Sequence, residues 1–320
     1  MQRIKTIFID EHNGPPQWQR GVETALGDRH DLAIYDPSRP LSDQFEDRQL
    51  LIDLGGTLVN EMLEAAPNAK LWQMLSVGYD RVDLSTARRL NIPVAHCPGS
   101  TSAIGLGESA MMFILMLSKR YAEAHQKLKE GVLYEPGGTD LEGRVLGLIG
   151  FGASGQALAQ RAVGFGLKLM IVEPLDVDPA LIDRYKPLFV GKPDAIDRIM
   201  AESDFVSLHL PLTAQTRGLI DAQRIGLMKP TARFINVARG ALVDEAALHQ
   251  ALVAGRIAGV GTDVFYDNKL GAAQTLLSHP NFVATPHVAG TTDGTHRRRA
   301  EVALGNADRM AQGLELEYLV

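Results

Sequence analysis

Short apolar runs alternate with longer stretches of mixed apolar and polar residues along this chain. The runs are rich in Val, Ile and Leu and are short enough for strands buried on both faces of a parallel sheet. In the first part of the chain they are Thr6–Ile9, Leu32–Tyr35, Leu50–Leu54, Leu71–Leu75 and Pro93–Ala95. Further on they are Val145–Ile149, Lys168–Val172, Phe205–Leu210, Arg233–Val237, Ile257–Val264 and Phe282–Thr285. This alternation of strands and helices predicts an α/β fold.

Helical patterns and turn-forming residues predict how the chain divides. The predicted helices are Ile104–Glu130, Asp194–Ala201, Asp221–Leu227, Asp244–Ala254 and Arg297–Gln312. The turn-rich segment Pro98–Ser102 separates the first group of strands from the long helix that follows. We expect residues 101–290 to form one domain with a doubly wound parallel sheet. Residues 1–100 and 291–320 would form a second, smaller and discontinuous domain.

A glycine-rich turn lies near the middle of the chain, between the strand Val145–Ile149 and a helical stretch. Gly150 permits a tight turn, Gly152 lets the backbone approach a pyrophosphate, and Gly155 lets the helix pack closely on the strand. The next strand ends at Glu173, where a carboxylate can hold the ribose hydroxyls of NAD and repel the 2′-phosphate of NADP. The residues predicted to bind this cofactor are Gly150, Phe151, Gly152, Ala153, Ser154, Gly155 and Glu173.

Composition narrows the class of protein. The 320 residues suggest two domains, and 45% hydrophobic with 22% charged residues is typical of a globular protein. The net charge of −6 disfavours nucleic acid or an acidic membrane as a partner. Neither a signal peptide nor a membrane-spanning run is indicated, so a cytoplasmic protein is expected. Cys97 is the single cysteine, which excludes an internal disulfide, and no metal site is indicated.

Two side chains at strand ends are candidates for chemistry. Arg239 follows the strand Arg233–Val237, and His287 follows Phe282–Thr285. Because the carboxyl ends of parallel strands meet at one edge of a sheet, both would face one crevice. An arginine can hold a carboxylate, and a histidine can exchange a proton near neutral pH. Together with NAD, these groups suit hydride transfer at C2 of a 2-hydroxy or 2-keto acid.

With these residues in place, the chain as a whole resembles the D-isomer-specific 2-hydroxyacid dehydrogenase family. The matching motifs occur in family order and are Ser76–Asp83, the glycine-rich turn, His209–Thr213, Asn236–Gly240, Gly261–Phe265 and Thr285–Gly290. The resemblance implies two Rossmann-like domains, a doubly wound sheet for NAD and a smaller, flavodoxin-like substrate domain. It also implies a homodimer that forms through the helical region after Ile104.

The resemblance carries over to individual residues. It implies that Arg239 binds the substrate carboxylate and carbonyl, that His287 is the acid/base, and that the backbone amides of Val77 and Gly78 bind the carboxylate. The further residues that it places at the cofactor are Leu210, Pro211, Thr216, Val237, Ala238, Asp263, His287 and Gly290. For His209, a packed residue at a strand end is preferred over direct catalysis.

One family residue is missing from the chain. Where the family carries a glutamate bonded to the catalytic histidine, this chain has Asn268. A carboxylate beside an imidazole favours the charged ring much more than an amide does. Since ketoacid reduction needs a protonated histidine, we expect reduction to fade at lower pH than in relatives with the glutamate. Asp267 is a weaker alternative partner for the histidine.

The leading hypothesis is an NAD-dependent D-2-hydroxyacid dehydrogenase that acts on a small acid such as glyoxylate or hydroxypyruvate. The alternative is an NAD-responsive binding or regulatory protein on the same scaffold, in which Asn268 leaves weak chemistry. Formate oxidation is a minor option, because related formate dehydrogenases pair their histidine with glutamine. We also expect the chain to lack the longer N-terminal region of that branch.

Overall fold

The computed structural model describes residues 2–10 and 16–320, apart from the side chains of Asp267 and Ala272. By internal contacts the chain forms two compact units. Unit 1 contains Met1–Thr101 and Thr291–Val320, and unit 2 contains Ser102–Gly290. The C-terminal segment therefore returns to the unit in which the chain begins.

Strands and helices alternate through both units. The strands are β1 (Lys5–Ile9), β2 (Asp31–Ile34), β3 (Leu50–Asp53), β4 (Leu71–Met74), β5 (Val94–Ala95), β6 (Val145–Ile149), β7 (Lys168–Val172), β8 (Phe189–Gly191), β9 (Phe205–Leu208), β10 (Arg233–Asn236), β11 (Gly259–Thr262) and β12 (Phe282–Ala284). The helices are α1 (Gln17–Leu26), α2 (Leu41–Phe45), α3 (Asn60–Glu64), α4 (Ser85–Arg89), α5 (Ala103–Ser118), α6 (Tyr121–Lys129), α7 (Ala153–Ala162), α8 (Pro179–Tyr185), α9 (Ile196–Glu202), α10 (Ala222–Gly226), α11 (Glu245–Val253) and α12 (Asp293–Gln312).

Unit 1 is built on a five-stranded parallel sheet in the order β2-β1-β3-β4-β5. This is the flavodoxin-like order. Helix α12 packs against α1 and buries small side chains, Ala300, Ala303 and Ala307, in the core of the unit. Their small volume allows the two helices to lie close together, which ties the C-terminal segment to this sheet.

Unit 2 is built on a seven-stranded parallel sheet in the order β12-β11-β10-β9-β6-β7-β8. The strand order reverses between β6 and β9, and ligands of doubly wound sheets bind at the carboxyl ends of the strands beside such a reversal. The fold class predicted from the sequence is therefore confirmed in both units. Among the helices of the described chain, none combines the length and apolar character that a membrane crossing requires.

Helix α5 covers one face of the sheet of unit 2 because glycines on the neighbouring elements make room for it. A Cβ on Gly261 of β11 would lie 2.6 Å from the Cβ of Phe113. A Cβ on Gly107 of α5 would lie 2.7 Å from the carbonyl carbon of Ala157 in α7. These contacts fix the sheet and both helices as one packed body.

Two predicted helices differ from the structure, and two further elements were not predicted. The long helix predicted at Ile104–Glu130 is wrong, because the chain turns at Arg120, whose φ is 51°, and continues as the separate helix α6. Strand β8 and helix α8 were not predicted, since the segment after Glu173 has weak apolar periodicity. Helix α12 begins earlier than predicted, at Asp293, where the Thr292 side chain accepts a hydrogen bond from the amide of Thr295.

The close contact between α5 and α7 generates a stability prediction. Gly107→Ala should lower the free energy of unfolding of unit 2 by about 1–3 kcal/mol, because the new methyl group meets backbone atoms that cannot move aside. Gly226→Ala is the matched control, since Gly226 is also helical and a Cβ there has nothing within 4 Å. It should raise stability slightly. Denaturant unfolding of both variants checks this, and equal stabilities would contradict the packing described.

Candidate active site

The glycine turn lies at the carboxyl end of β6, at the strand reversal of unit 2. Gly150 has a φ of 93°, and a Cβ there would lie 2.3 Å from the carbonyl oxygen of His209. A Cβ on Gly152 would meet nothing within 4 Å, so the backbone at the start of α7 is open on this side. The first amides of a helix lack partners within the helix and attract phosphate. The turn therefore fits a dinucleotide pyrophosphate.

Glu173 follows the end of β7 and is joined to the same turn. Its Oε2 accepts a hydrogen bond of 2.6 Å from the amide of Phe151, and its Oε1 accepts one of 3.3 Å from the amide of Leu175. These bonds hold the carboxylate beside the glycine turn, the position from which it can bind ribose hydroxyls. Ala153, Ser154 and Gly155 form the first turn of α7.

His209 connects β9 with the helix after the glycine turn. Its Nε2 lies 2.9 Å from the Ser207 hydroxyl, and its Nδ1 lies 3.1 Å from the Ser154 hydroxyl. Burial lowers the pKa of His209 to about 3, so the ring is neutral at physiological pH. A buried neutral ring with two hydroxyl partners agrees with the packed residue that the sequence favoured.

The loop after β9 carries three of the predicted cofactor residues. Leu210 packs against the main core of unit 2, while Pro211 is exposed. The Thr216 hydroxyl donates a 2.7 Å hydrogen bond to the Pro211 carbonyl, and the Thr213 amide donates one of 2.8 Å to that hydroxyl. Thr216 therefore closes the loop, a role that does not need contact with a cofactor.

Arg239 lies just after β10, in a turn braced by Asn236. The Asn236 side chain accepts from the Ala238 amide at 3.0 Å and donates to the Arg239 carbonyl at 2.9 Å. Nη1 of Arg239 donates to the Ala238 carbonyl at 2.8 Å. Val237 is buried beneath this turn. The guanidinium is half-buried at the carboxyl edge of the sheet, where a carboxylate ligand could reach it.

Asp263 follows β11 and holds the segment that carries His287. It is 1% exposed. Its Oδ1 accepts from the Thr285 hydroxyl at 2.6 Å and from the Val288 amide at 2.8 Å, and its Oδ2 accepts from the Ala289 amide at 2.9 Å. The Asp263 carbonyl also accepts from the His287 amide at 2.9 Å. The buried charge is thus compensated by hydrogen bonds to the turn that ends at Gly290.

Asn268 contacts one ring nitrogen of His287. The Nδ1 atom of the ring lies 3.0 Å from Oδ1 of Asn268. Since an amide oxygen only accepts, a neutral ring carries its proton on Nδ1, and Nε2 is then the nitrogen that can take up and return a second proton. Asn268 has a φ of 53°, a left-handed conformation that asparagine tolerates better than most residues. The side chain of the alternative partner, Asp267, lies outside the described part of the chain.

The predicted carboxylate-binding residues of unit 1 lie in the loop after β4. The Val77 carbonyl is 3.1 Å from Nδ1 of His96, whose ring lies edge-on to Tyr79. Over residues 2–10 and 16–320, neither the Val77 amide nor the Gly78 amide donates a hydrogen bond to another group. Both amides can therefore donate hydrogen bonds to an anionic ligand without breaking an existing one.

Comparison with known proteins identifies the family. The family model for the NAD binding domain of D-isomer specific 2-hydroxyacid dehydrogenases matches residues 111–289. A glyoxylate reductase of Korarchaeum cryptofilum (strain OPF8) is 35% identical over 262 residues, which cover 79% of this chain and 76% of the relative. A hydroxypyruvate reductase of Thermotoga maritima is 37% identical over 242 residues, covering 74% and 76%.

A solved structure agrees with these relatives. A D-lactate dehydrogenase from Aquifex aeolicus, complexed with NAD and lactic acid, has a TM-score of 0.77 and 27% identity, covering 97% of this chain and 96% of that chain. The chain belongs to the D-isomer-specific 2-hydroxyacid dehydrogenase family. It is an NAD-dependent dehydrogenase of this family, and the cofactor predicted from the glycine turn and Glu173 is confirmed.

Two supporting contacts of the site were not predicted from the sequence. One is the set of bonds from Asp263 to the segment Thr285–Ala289, since the sequence suggested a cofactor contact for this carboxylate. The other is at Gly240, where a Cβ would lie 2.2 Å from the carbonyl carbon of Phe265. This contact packs the turn of Arg239 against the chain leading to Asn268. In the sequence, Asp263 and Gly240 are visible only as an aspartate and a glycine that follow predicted strands. That position does not show which residues they contact.

The bonds of Asp263 lead to a prediction for Asp263→Asn. The new amide group would face the Ala289 amide, donor against donor, and the turn that carries His287 would shift. We expect kcat to fall by about 10- to 100-fold, since loss of a buried charged acceptor is worth roughly 1.5–3 kcal/mol. Steady-state kinetics of NADH oxidation measure this.

Asp204→Asn is the matched control for that variant. Asp204 precedes β9, at the amino ends of the strands and away from the candidate site. Its side chain accepts a 2.9 Å hydrogen bond from the Val145 amide. This variant should lose stability with little change in kcat. Equal kcat values for the two variants would contradict a positioning role for Asp263.

Proposed function

We propose that this protein reduces a short 2-ketoacid to the corresponding D-2-hydroxy acid with NADH. The observation that carries the proposal is the bond between His287 Nδ1 and Asn268, at the sheet edge that also carries Arg239 and the glycine turn. A proton donor, a carboxylate-binding cation and a cofactor cradle in one sheet suit this reaction.

The protein's side chains have separate tasks in this reaction. The Arg239 guanidinium would hold the substrate carboxylate and polarise the C2 carbonyl, and the amides of Val77 and Gly78 would add donors for the carboxylate. His287 would give a proton from Nε2 to the oxygen on C2, while Asn268 keeps its Nδ1 proton in place. Bound NADH supplies the hydride that C2 receives.

The glycine turn and its neighbours would hold the cofactor. The first amides of α7 would bind the pyrophosphate and Glu173 the adenosine ribose hydroxyls. Four further residues would line the rest of the cofactor site: Leu210, Pro211, Val237 and Ala238. Asp263 and Gly290 would contribute by holding the segment that carries His287.

The substrate is proposed to be glyoxylate, hydroxypyruvate or an acid of similar size. Relatives that carry the names glyoxylate reductase and hydroxypyruvate reductase support this choice. The same relatives lend no support to a purely regulatory protein, and formate oxidation gains no support from them either.

A homodimer in the cytoplasm is part of the same proposal. Helix α6 and the residues after it expose large apolar side chains, which a second copy of the chain could cover. These side chains are Tyr121, Leu128, Leu133 and Tyr134. Sedimentation of the purified protein would give the mass of two chains if this is right.

The direct test of the function is an NADH-oxidation assay with a panel of short 2-ketoacids from pH 5 to 8. We expect turnover with at least one of them and loss of about 10²- to 10⁴-fold in kcat for His287→Gln. The proposal fails if no ketoacid on the panel is reduced at any pH.

Asn268→Asp tests how the partner of His287 sets the pH dependence. Aspartate has nearly the same shape as asparagine and also tolerates positive φ, so the main change is one negative charge near Nδ1. The charge favours the protonated ring, so reductase activity should persist to a pH about one unit higher before it falls. The variant Asn268→Glu should shift the profile in the same direction, with some loss from backbone strain.

Asn91→Asp is the control for the charge change. Asn91 also has a positive φ, 55°, and is exposed in unit 1. Its pH–rate profile should match that of the unmodified protein. An Asn268→Asp profile that does not move would mean that Asn268 does not contact the ring of His287 during turnover.

A further inference from the structure

A lysine lies beside the carboxylate that is proposed to bind the adenosine ribose. Glu173 directly follows β7, and Lys192 directly follows β8. The two strands pair in parallel with Val172 opposite Gly191, and the Glu173 amide donates a 3.0 Å hydrogen bond to the Gly191 carbonyl. Lys192 is therefore held at the carboxyl edge of the sheet of unit 2, next to Glu173.

The ammonium group of Lys192 contacts the segment that follows Glu173. Its Nζ donates a 3.1 Å hydrogen bond to the Pro174 carbonyl and lies 2.7 Å from Oδ1 of Asp176. The hydrogen bond and the charge of Lys192 lower the pKa of the Asp176 carboxyl, so this group is ionised at neutral pH. The local sequence does not show the cation, because residues 174–183 contain no lysine or arginine.

A cation at this place is the group that a 2′-phosphate requires. NADP differs from NAD by one phosphate on the adenosine ribose, and a phosphate monoester carries nearly two negative charges at neutral pH. Dinucleotide sites that accept this phosphate place a basic side chain near the end of the second strand. Lys192 has the charge and a flexible stem, but it already donates to Asp176 and to the Pro174 carbonyl.

The contact between Lys192 and Asp176 is suited to selecting a ligand rather than to stabilising the fold. The Asp176 side chain is fully exposed and that of Lys192 is half-exposed. Exposed ion pairs contribute little to stability. Asp176 does, however, cancel the charge of Lys192 beside the ribose position, where Glu173 adds a second carboxylate. Specific sites commonly reject a wrong ligand by such repulsion.

We propose that Asp176 is a second specificity-determining residue for the cofactor, which keeps Lys192 from binding the 2′-phosphate of NADP. The chain thus contains a latent NADP site that one carboxylate closes. This inference goes beyond the proposed function, because it concerns the nucleotide and does not depend on which acid is reduced.

The test measures the dissociation constants of NADH and NADPH through the fluorescence of the bound nucleotide. In Asp176→Asn, the amide attracts Lys192 much less than the carboxylate does, and it does not repel the phosphate. We expect the Kd of NADPH relative to that of NADH to fall roughly tenfold at low ionic strength, because one cation is freed and one anion is lost beside a doubly charged group. The gain should shrink in about 1 M salt, which screens these charges.

Two further variants separate the role of the lysine from the loss of a negative charge. Asp178→Asn removes a carboxylate two positions further on, which accepts a 2.8 Å hydrogen bond from the Ala180 amide, and asparagine is an equally good helix cap. Its ratio of dissociation constants should stay within about twofold of that of the unmodified protein. When Lys192→Gln is added to Asp176→Asn, the tenfold gain should disappear.

Three results would overturn the proposal. They are an unchanged ratio in Asp176→Asn, an equal fall of the ratio in Asp178→Asn, and a gain that persists in the double variant with Lys192→Gln. Either of the last two would mean that net charge alone, and not the release of Lys192, governs the discrimination.

A failure of the proposed reaction gives a different result. If no ketoacid is reduced with either nucleotide, the proposed function is wrong, while the two dissociation constants still decide the role of Asp176. If a ketoacid is reduced, kcat/KM for NADPH relative to that for NADH should rise in Asp176→Asn by about the same factor as the binding ratio changes.

Discussion

The buried carboxylate of Asp263 is the constraint on which the candidate site most depends. It lies at the end of β11, and both oxygens accept hydrogen bonds from the segment after β12. Because these partners are a hydroxyl and backbone amides rather than cations, the charge is compensated by oriented donors, and these donors fix the geometry of the turn. His287 takes its position from this turn, and Asn268 then sets the orientation of its ring.

The first sheet uses the same device. Asp53 ends β3 and is fully buried, and its Oδ2 accepts from the amides of Gly56, Thr57 and Leu58. Its Oδ1 accepts from the Trp72 indole at 2.9 Å. In both units, then, an aspartate at the carboxyl end of a parallel strand orders the loop that follows. Ordered loops at this edge are what a site needs when its ligand groups must be held in place.

Much of the fold follows from local patterns that the sequence displays. Apolar runs predicted β6 and β7 at their observed bounds, because a strand buried on both faces has little freedom in composition. The end of α5 was not predicted, because Arg120 adopts a positive φ where the sequence has no glycine to indicate a turn. We attribute this turn to tertiary contacts, which the local sequence does not show.

Some features of the candidate site could likewise be predicted from the sequence, and others could not. The sequence predicts that four features lie at the carboxyl ends of strands, because each comes directly after a predicted strand. These are the glycine turn, Glu173, Arg239 and His287. The bonds of Asp263 and the pairing of Lys192 with Asp176 depend on residues distant in sequence, so no local pattern predicts them. Asn268 could be recognised as a departure from the family, but its contact with Nδ1 and its left-handed backbone required the structure.

The most direct measurement of this account is ¹⁵N NMR of the His287 ring in the complex with NADH, assigned by comparison with His287→Gln. We predict that the ring, at a pH where it is neutral, carries its proton on Nδ1 and none on Nε2, because Asn268 accepts from Nδ1; the ring that donates during reduction carries a proton on both nitrogens. A neutral ring protonated on Nε2 would contradict it, since Asn268 would then not fix the ring that exchanges the proton.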